Sequence, residues 1–289
     1  MENYRQIKFD NTLKPNSQFD LGNIEELLRR DLEFKPTQLH KINFYNLLFI
    51  TEGSGYHTID FTDFKYEKGT LITIRKDQLH RFHFSKNVKG KMLFFTEEFL
   101  ASHYSKKEVS RSFQLFNELL SHPRIKLNQK DFSEILEHIE DIQLEYLDRY
   151  DEFSESIIRS SLHILVSKIY RVKSKVHKVL NYHKYLDDFS RFQKLVESNC
   201  FEFKKVHDYA NHMSCTPKTL NNISRRIIDK PAKQLIDEIL ITQIKRLLIN
   251  THMPITEIAY TAGFNEPSNL YRFFKKYTGS TPEQFRKAY

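Results

Sequence analysis

A chain of 289 residues, 39% of them hydrophobic and 28% charged, is long enough for two domains with separate cores and too apolar to stay disordered. No apolar run approaches the ~20 residues that span a bilayer; the polar opening Met1-Glu2-Asn3-Tyr4-Arg5-Gln6 is unlike a signal peptide, and Cys200 and Cys215 are too few for a disulfide scaffold, so the expected setting is the cytoplasm. The formal net charge of +8 is lopsided: residues 189–289 carry 16 Lys/Arg against 9 Asp/Glu, and the rest of the chain 29 against 28, which favours an anionic partner, usually nucleic acid, for the last third.

The first hundred residues carry strand-length runs separated by turns. Ile42 to Ile50 is rich in β-branched and aromatic residues, and Glu52-Gly53-Ser54-Gly55 is turn chemistry. Tyr56 to Phe61 alternates. After the turn at Lys68-Gly69 come Thr70 to Ile74, Arg81 to Phe84 and Lys91 to Phe95. Such a series predicts a sandwich or a small barrel. Beyond Glu97 the apolar spacing becomes helical over Lys106 to Leu120 and Asp131 to Leu147. Ile158, Leu162, Leu165, Ile169 and Val172 then form a seam of coiled-coil spacing. The seam has two readings, packing on the protein's own β-domain or a self-association helix. Its geometry favours the second, with Ile158, Leu162, Leu165 and Ile169 in a homodimer contact. Arg171 to Asp188, with Lys173, Lys175, Lys178 and Lys184, reads as a connector, which puts the domain boundary between residues 185 and 186.

The last hundred residues contain a loose repeat. Leu220 to Arg226 lines up with Leu270 to Lys276, a period of fifty. Before each lies a short helical stretch with a small residue, Ala210 or Ala259, as a close helix crossing requires. Gly263 supplies a positive-φ turn in the second unit, where the first has Ser214 and Cys215. Thr216-Pro217 and Asn265-Glu266-Pro267 predict capped starts for the second helices. At about 100° per residue, Leu220, Ile223 and Ile227 face inward while Lys218, Asn222 and Arg225 face outward. In the second unit Leu270, Phe273, Phe274 and Tyr277 share the inner face, and Ser268, Arg272 and Lys275 the outer one. Outward donors of this kind suit phosphates and base edges in a major groove. Ala232 to Asn250, free of proline and glycine, predicts a joining helix of ~28 Å, near the ~34 Å between successive major grooves on one DNA face. Thr281-Pro282-Glu283-Gln284 predicts a capping box and a short closing helix.

The second unit resembles the AraC/XylS family of bacterial transcription regulators. The resemblance rests on Ile255-Thr256-Glu257-Ile258-Ala259-Tyr260-Thr261-Ala262-Gly263-Phe264, then Ser268, Leu270, Arg272-Phe273-Phe274-Lys275-Lys276, Gly279, Thr281-Pro282 and Phe285-Arg286. In the first unit Asn222 stands where the family often has arginine, and Ser224 where it usually has phenylalanine. The resemblance implies base contacts from Lys218, Asn221, Asn222, Ser268, Asn269 and Arg272. Arg225, Arg226, Lys275 and Lys276 then fall to phosphates. More weakly, Leu48 to Phe84 resembles the family's cupin-like sensor domain, through Glu52-Gly53-Ser54-Gly55, Lys68-Gly69 and Gln78-Leu79-His80-Arg81.

The fold expected is therefore α+β. An N-terminal cupin-like β-barrel with a helical extension would occupy residues 1–185. An all-α domain with two helix-turn-helix units joined by a long helix would occupy residues 186–289. The implied function is sequence-specific, double-stranded DNA binding by a homodimer that answers to a small-molecule effector, with RNA polymerase as a further partner if it activates. The alternatives are a constitutive DNA-binding regulator and, more distantly, a cupin enzyme. Tyr45, Asn46, His57, Arg75 and His80 are the polar candidates for an effector pocket. His57, His80 and His83 lack the close H-x-H pair and following glutamate of a metal-binding cupin, so neither metal nor cofactor is expected. No catalytic constellation stands out.

Overall fold

The computed structural model describes residues 4–29, 35–83, 85, 87–102, 123–177 and 183–288. The chain divides into two compact units, one of residues 4–178 and one built on residues 179–289. Among the described residues, no helix is long and apolar enough to cross a membrane.

The N-terminal unit contains β1 (Arg5–Ile7), β2 (Phe19–Asn23), α1 (Ile24–Arg29), β3 (His40–Ile42), β4 (Tyr45–Glu52), β5 (Ser54–Ile59), β6 (Thr62–Glu67), β7 (Thr70–Ile74), β8 (Leu79–His83), β9 (Lys89–Phe95), α2 (Glu97–Ala101), β10 (Arg124–Lys126), α3 (Gln129–Leu147) and α4 (Ser154–His177). The strands form two five-stranded sheets, ordered β1-β3-β8-β5-β6 and β10-β7-β4-β9-β2. The expected β-barrel is thus not closed: among the described residues no strand pairs from one sheet to the other. Of the four edge strands, β1 and β10 have only three residues each, which limits exposed edge on that side of each sheet. The run Ile42 to Ile50, read as one strand, is split between the sheets at Asn43-Phe44. The Asn43 side chain accepts from the Phe9 amide at 2.7 Å, and the Asn43 amide donates to the Ile7 carbonyl at 3.1 Å.

Strand β4 shows why this half looked continuously apolar. Leu48 and Ile50 point into a core shared with Ile42, Ile59, Ile72, Phe82 and Met92 of both sheets. Leu47 and Phe49 point the other way, into a second core with Leu93, Phe95, Phe132, Ile139 and Tyr146. The β4 sheet is covered on one face by the other sheet and on the opposite face by α2, α3 and α4, so alternation is lost.

The α4 seam belongs to that second core. Ile158, Leu162, Leu165 and Ile169 are each at most 1% exposed, packed with Leu47, Phe49 and the α3 side chains. The intramolecular reading of the seam therefore describes these four residues. The supposed connector is helical as far as His177. Lys173 is buried there, its Nζ donating to Thr73 Oγ1 at 3.3 Å. The helix expected over Lys106 to Leu120 lies outside the described residues.

The C-terminal unit is all helical: α5 (His183–Asn199), α6 (Val206–His212), α7 (Pro217–Ile228), α8 (Ala232–Asn250), α9 (Ile255–Thr261), α10 (Pro267–Thr278) and α11 (Pro282–Ala288). Helix α8 has the predicted bounds. It buries Leu235, Ile236, Ile239, Leu240, Ile241, Ile244, Leu248 and Ile249, which makes it the core rod of the unit. Its last turn is held by Arg286, whose guanidinium donates to the Leu248 and Met253 carbonyls at 2.9 and 2.8 Å. The predicted capping box forms on α11: Thr281 N donates to Gln284 Oε1 at 2.9 Å and Gln284 N to Thr281 Oγ1 at 3.2 Å.

Candidate nucleic-acid interface and effector cavity

The two helix-turn-helix units share one turn geometry. In the first, Ser214 has φ +52° and the Cys215 amide donates to the Ala210 carbonyl at 2.9 Å. In the second, Gly263 has φ +71° and the Phe264 amide donates to the Ala259 carbonyl at 2.9 Å. Ala210 and Ala259 are fully buried where the helices cross. An L-residue in the left-handed region costs about 1 kcal/mol relative to glycine. Ser214→Gly is therefore expected to raise the thermal midpoint of this unit by a few degrees. A midpoint that falls would remove the strain argument.

Helix α7 starts as predicted, with Thr216 Oγ1 accepting from the Thr219 amide at 3.1 Å ahead of Pro217. On α10 the cap falls at Glu266 rather than Asn265 and makes no side-chain cap bond. Instead, Ser268 Oγ donates to the Glu266 carboxylate at 3.2 Å. Leu220, Ile223 and Ile227 are buried on α7, and Leu270 and Phe274 on α10. Phe273 and Tyr277, assigned to the inner face, are half-buried. Phe273 packs between Phe264 and Tyr277 with tilted rings, and Tyr277 donates to Asp237 of α8 at 2.9 Å.

Lys218, Asn222, Arg225 and Arg226 are exposed on α7, and Ser268, Arg272, Lys275 and Lys276 on α10. Arg272 Nη2 donates to Asn269 Oδ1 at 2.6 Å, so these two side chains lie together on the outer face. Asn221 is placed differently. Its Nδ2 donates to the Pro217 carbonyl and its Oδ1 accepts the Ala232 amide, each at 3.0 Å. The Asn221 amide therefore secures the first turn of α8 against α7.

One fastening escaped the sequence reading. Lys204 donates to the Ala262 carbonyl, and its Nζ sits 3.6 Å from the Phe264 ring centroid. It thereby ties the segment before α6 to the turn of the second unit. Burial, with Lys233 nearby, pushes its pKa down to about 8. Its partner lies 58 residues away, so no local pattern could reveal the contact.

In the N-terminal unit a cavity of about 510 Å³ lies among inward side chains of both sheets. Ile7, Phe9, Phe44, Phe82, Met92 and Phe94 give it apolar walls, and Asn46, His40 and His80 add polar atoms. Of the five pocket candidates, Asn46 and His80 line it. His57 sits directly behind, with Nε2 3.2 Å from His80 Nδ1. Tyr45 is on the outer face of β4, stacked on Phe95, and Arg75 is not among the lining residues. His40, opposite His80 in the β3–β8 register, was missed. Burial holds His57 and His80 well below the usual imidazole value, and the neighbouring His40 lowers both further. His83 is on the other face of its sheet, where its Nε2 lies 2.7 Å from Thr58 Oγ1.

Residues 27–162 match the AraC-like ligand binding domain family, and residues 209–288 match a helix-turn-helix domain family. The melibiose operon regulatory protein of Escherichia coli K12 is 32% identical over 98 residues, 34% of this chain and 32% of that protein. The arabinose operon regulatory protein of the same organism is 33% identical over 92 residues, 32% of this chain and 30% of that protein. The matched region thus spans about a third of each of these relatives. An uncharacterized HTH-type transcriptional regulator of Bacillus subtilis, YfiF, is 22% identical over 88% of this chain and 80% of its own length. Among solved structures, fatty-acid-bound ToxT of Vibrio cholerae covers 97% of both chains at 17% identity, with a TM-score of 0.43. With a ligand-binding-domain match in its first half, a helix-turn-helix match in its second and a regulator aligned along most of its length, this chain belongs to the AraC/XylS family.

Proposed function

We propose that this protein is a sequence-specific DNA-binding transcription regulator that acts as a homodimer and takes a small-molecule effector in its N-terminal unit. The observation that carries the reading is the pair of twin turns, each presenting an exposed cationic face on its second helix. Lys218, Asn222, Ser268 and Arg272 are the base-reading set, with Asn269 orienting Arg272; Arg225, Arg226, Lys275 and Lys276 take phosphates. Four phosphate contacts per protomer, eight per dimer, give a slope of log K against log salt of about −7. Mobility shift with upstream fragments of the source genome tests this. Binding that ignores salt, or no binding to any fragment, counts against it.

The dimer contact is reassigned. With the seam buried, the exposed apolar side chains of this region are Leu144, Leu147, Tyr150, Phe153, Ile157 and Ile164, on α3, α4 and the loop between them. Leu165→Glu would place a charge in the core and unfold the unit, whereas Ile164 is 48% exposed and can be changed safely. Ile164→Glu is expected to convert a dimer to a monomer at micromolar concentration in sedimentation velocity. An unchanged mass, or a monomeric parent, rejects the dimer surface.

A further inference from the structure

The N-terminal cavity carries chemical instructions beyond its volume. His80 and Asn46 are 1% and 3% exposed, and both line it. Among the described residues, His80 Nε2 and Asn46 Oδ1 are buried without a hydrogen-bond partner, and so is His57 Nδ1 behind them. Buried polar atoms left open in this way are uncommon, because each forfeits its hydration.

The histidine contact sets the polarity of the open nitrogen. If His57 Nε2 donates to His80 Nδ1, the neutral His80 ring carries its proton on Nε2, facing the cavity. Each arrangement leaves one ring N–H and one bare ring nitrogen unpaired, but the reverse would strand the N–H on His57, deep in the core and out of a ligand's reach, where orphaned N–H groups are rare, whereas this one places it on a residue that lines the cavity. Among the buried polar atoms left without a partner, the cavity therefore offers one donor, His80 Nε2–H, and one acceptor, Asn46 Oδ1. The charged residues lining it balance: Arg5 and Lys8 against Asp10 and Asp20. Its remaining wall is mostly aromatic and aliphatic.

Resting on the reading of this cavity as an effector site, we propose that it takes an uncharged, mainly apolar molecule bearing a hydroxyl group, which donates to Asn46 Oδ1 and accepts from His80 Nε2. A carboxylate would confront the Asn46 oxygen with a second acceptor. An ammonium group would confront the His80 N–H with another donor. A hydroxyl satisfies both, and a site built around a hydroxyl rejects analogues that lack it.

Isothermal titration calorimetry of the full chain with 2-naphthol, 2-methoxynaphthalene and 2-naphthoate separates the possibilities. 2-Naphthol is expected to bind at least tenfold more tightly than either of the others. That preference should collapse in Asn46→Leu, with thermal denaturation confirming that the variant is folded. Binding of 2-methoxynaphthalene or 2-naphthoate equal to that of 2-naphthol overturns the hydroxyl assignment while the cavity reading stands. A preference that survives in folded Asn46→Leu overturns it too. If none of the three probes binds, the effector-site reading fails and takes this assignment with it.

Discussion

Gly263→Ala is expected to destabilise the C-terminal unit by about 3 kcal/mol and to lower its thermal midpoint by more than about 10 °C. Two effects add. Gly263 has φ +71°, a conformation that costs an L-residue about 1–2 kcal/mol. A methyl group there would also overlap the Phe201 carbonyl oxygen and crowd the Lys204 side chain at 3.2 Å. The carbonyl is backbone and cannot swing aside, so relief requires the segment before α6 to move away from the second turn. That movement would also break the Lys204 fastening to Ala262. Gly279 provides the control. It has φ +75°, yet nothing lies within 4 Å of the position its added Cβ would take. Gly279→Ala should therefore cost only the conformational part, about 1–2 kcal/mol. Calorimetric melting of the two variants side by side checks the claim, and equal losses would show that the close approach to Phe201 contributes nothing.

Arg272→Ala is expected to weaken binding to the cognate operator by ~1–3 kcal/mol, roughly 5–150-fold, with a much smaller loss on scrambled DNA. The side chain is exposed on the outer face of α10, and Asn269 already holds one arm of the guanidinium at 2.6 Å. A pre-oriented planar fork suits bidentate pairing with guanine, and less ordering is needed on binding. Arg272→Lys keeps the charge but loses the fork, so it should retain nonspecific affinity while losing discrimination. Lys275→Ala should behave oppositely, weakening all DNA alike and reducing the salt slope by about 1 per protomer, about 2 for the dimer. Competition titrations with cognate and scrambled duplexes distinguish these patterns. Unchanged discrimination in Arg272→Ala would sink the base-reading role.

Features of the C-terminal unit that depend on near neighbours in the chain were legible in advance. The Thr216 cap, the Thr281–Gln284 box, the bounds of α8 and the buried stripe of Leu220, Ile223 and Ile227 all follow from spacings of three or four residues. Helix periodicity and capping are local properties, so the amino-acid order specifies them. Asn221 marks the limit of that logic. The family resemblance implied a base contact from it, but its side chain reaches the amide of Ala232, eleven residues on. No periodic rule announces such a bond, because it forms only when α7 and α8 have already turned against each other.

The β-half shows what sequence order left open. Strandedness was visible from composition, but a strand covered on both faces has no alternation to reveal its phase. The tertiary structure decided that Asn46 faces the cavity while Tyr45 faces the helices, and that His57 stands behind His80. It also decided the fate of the α4 seam, since the same apolar stripe can cover a neighbouring sheet or a second copy of itself. Hydrophobic burial is non-directional and does not name its partner. Local order in the sequence thus determined the helices of the two helix-turn-helix units, where they begin and which of their faces are apolar. The choice of what each face covers, and of which polar atoms are left to meet a ligand, was made by contacts between residues far apart in the chain.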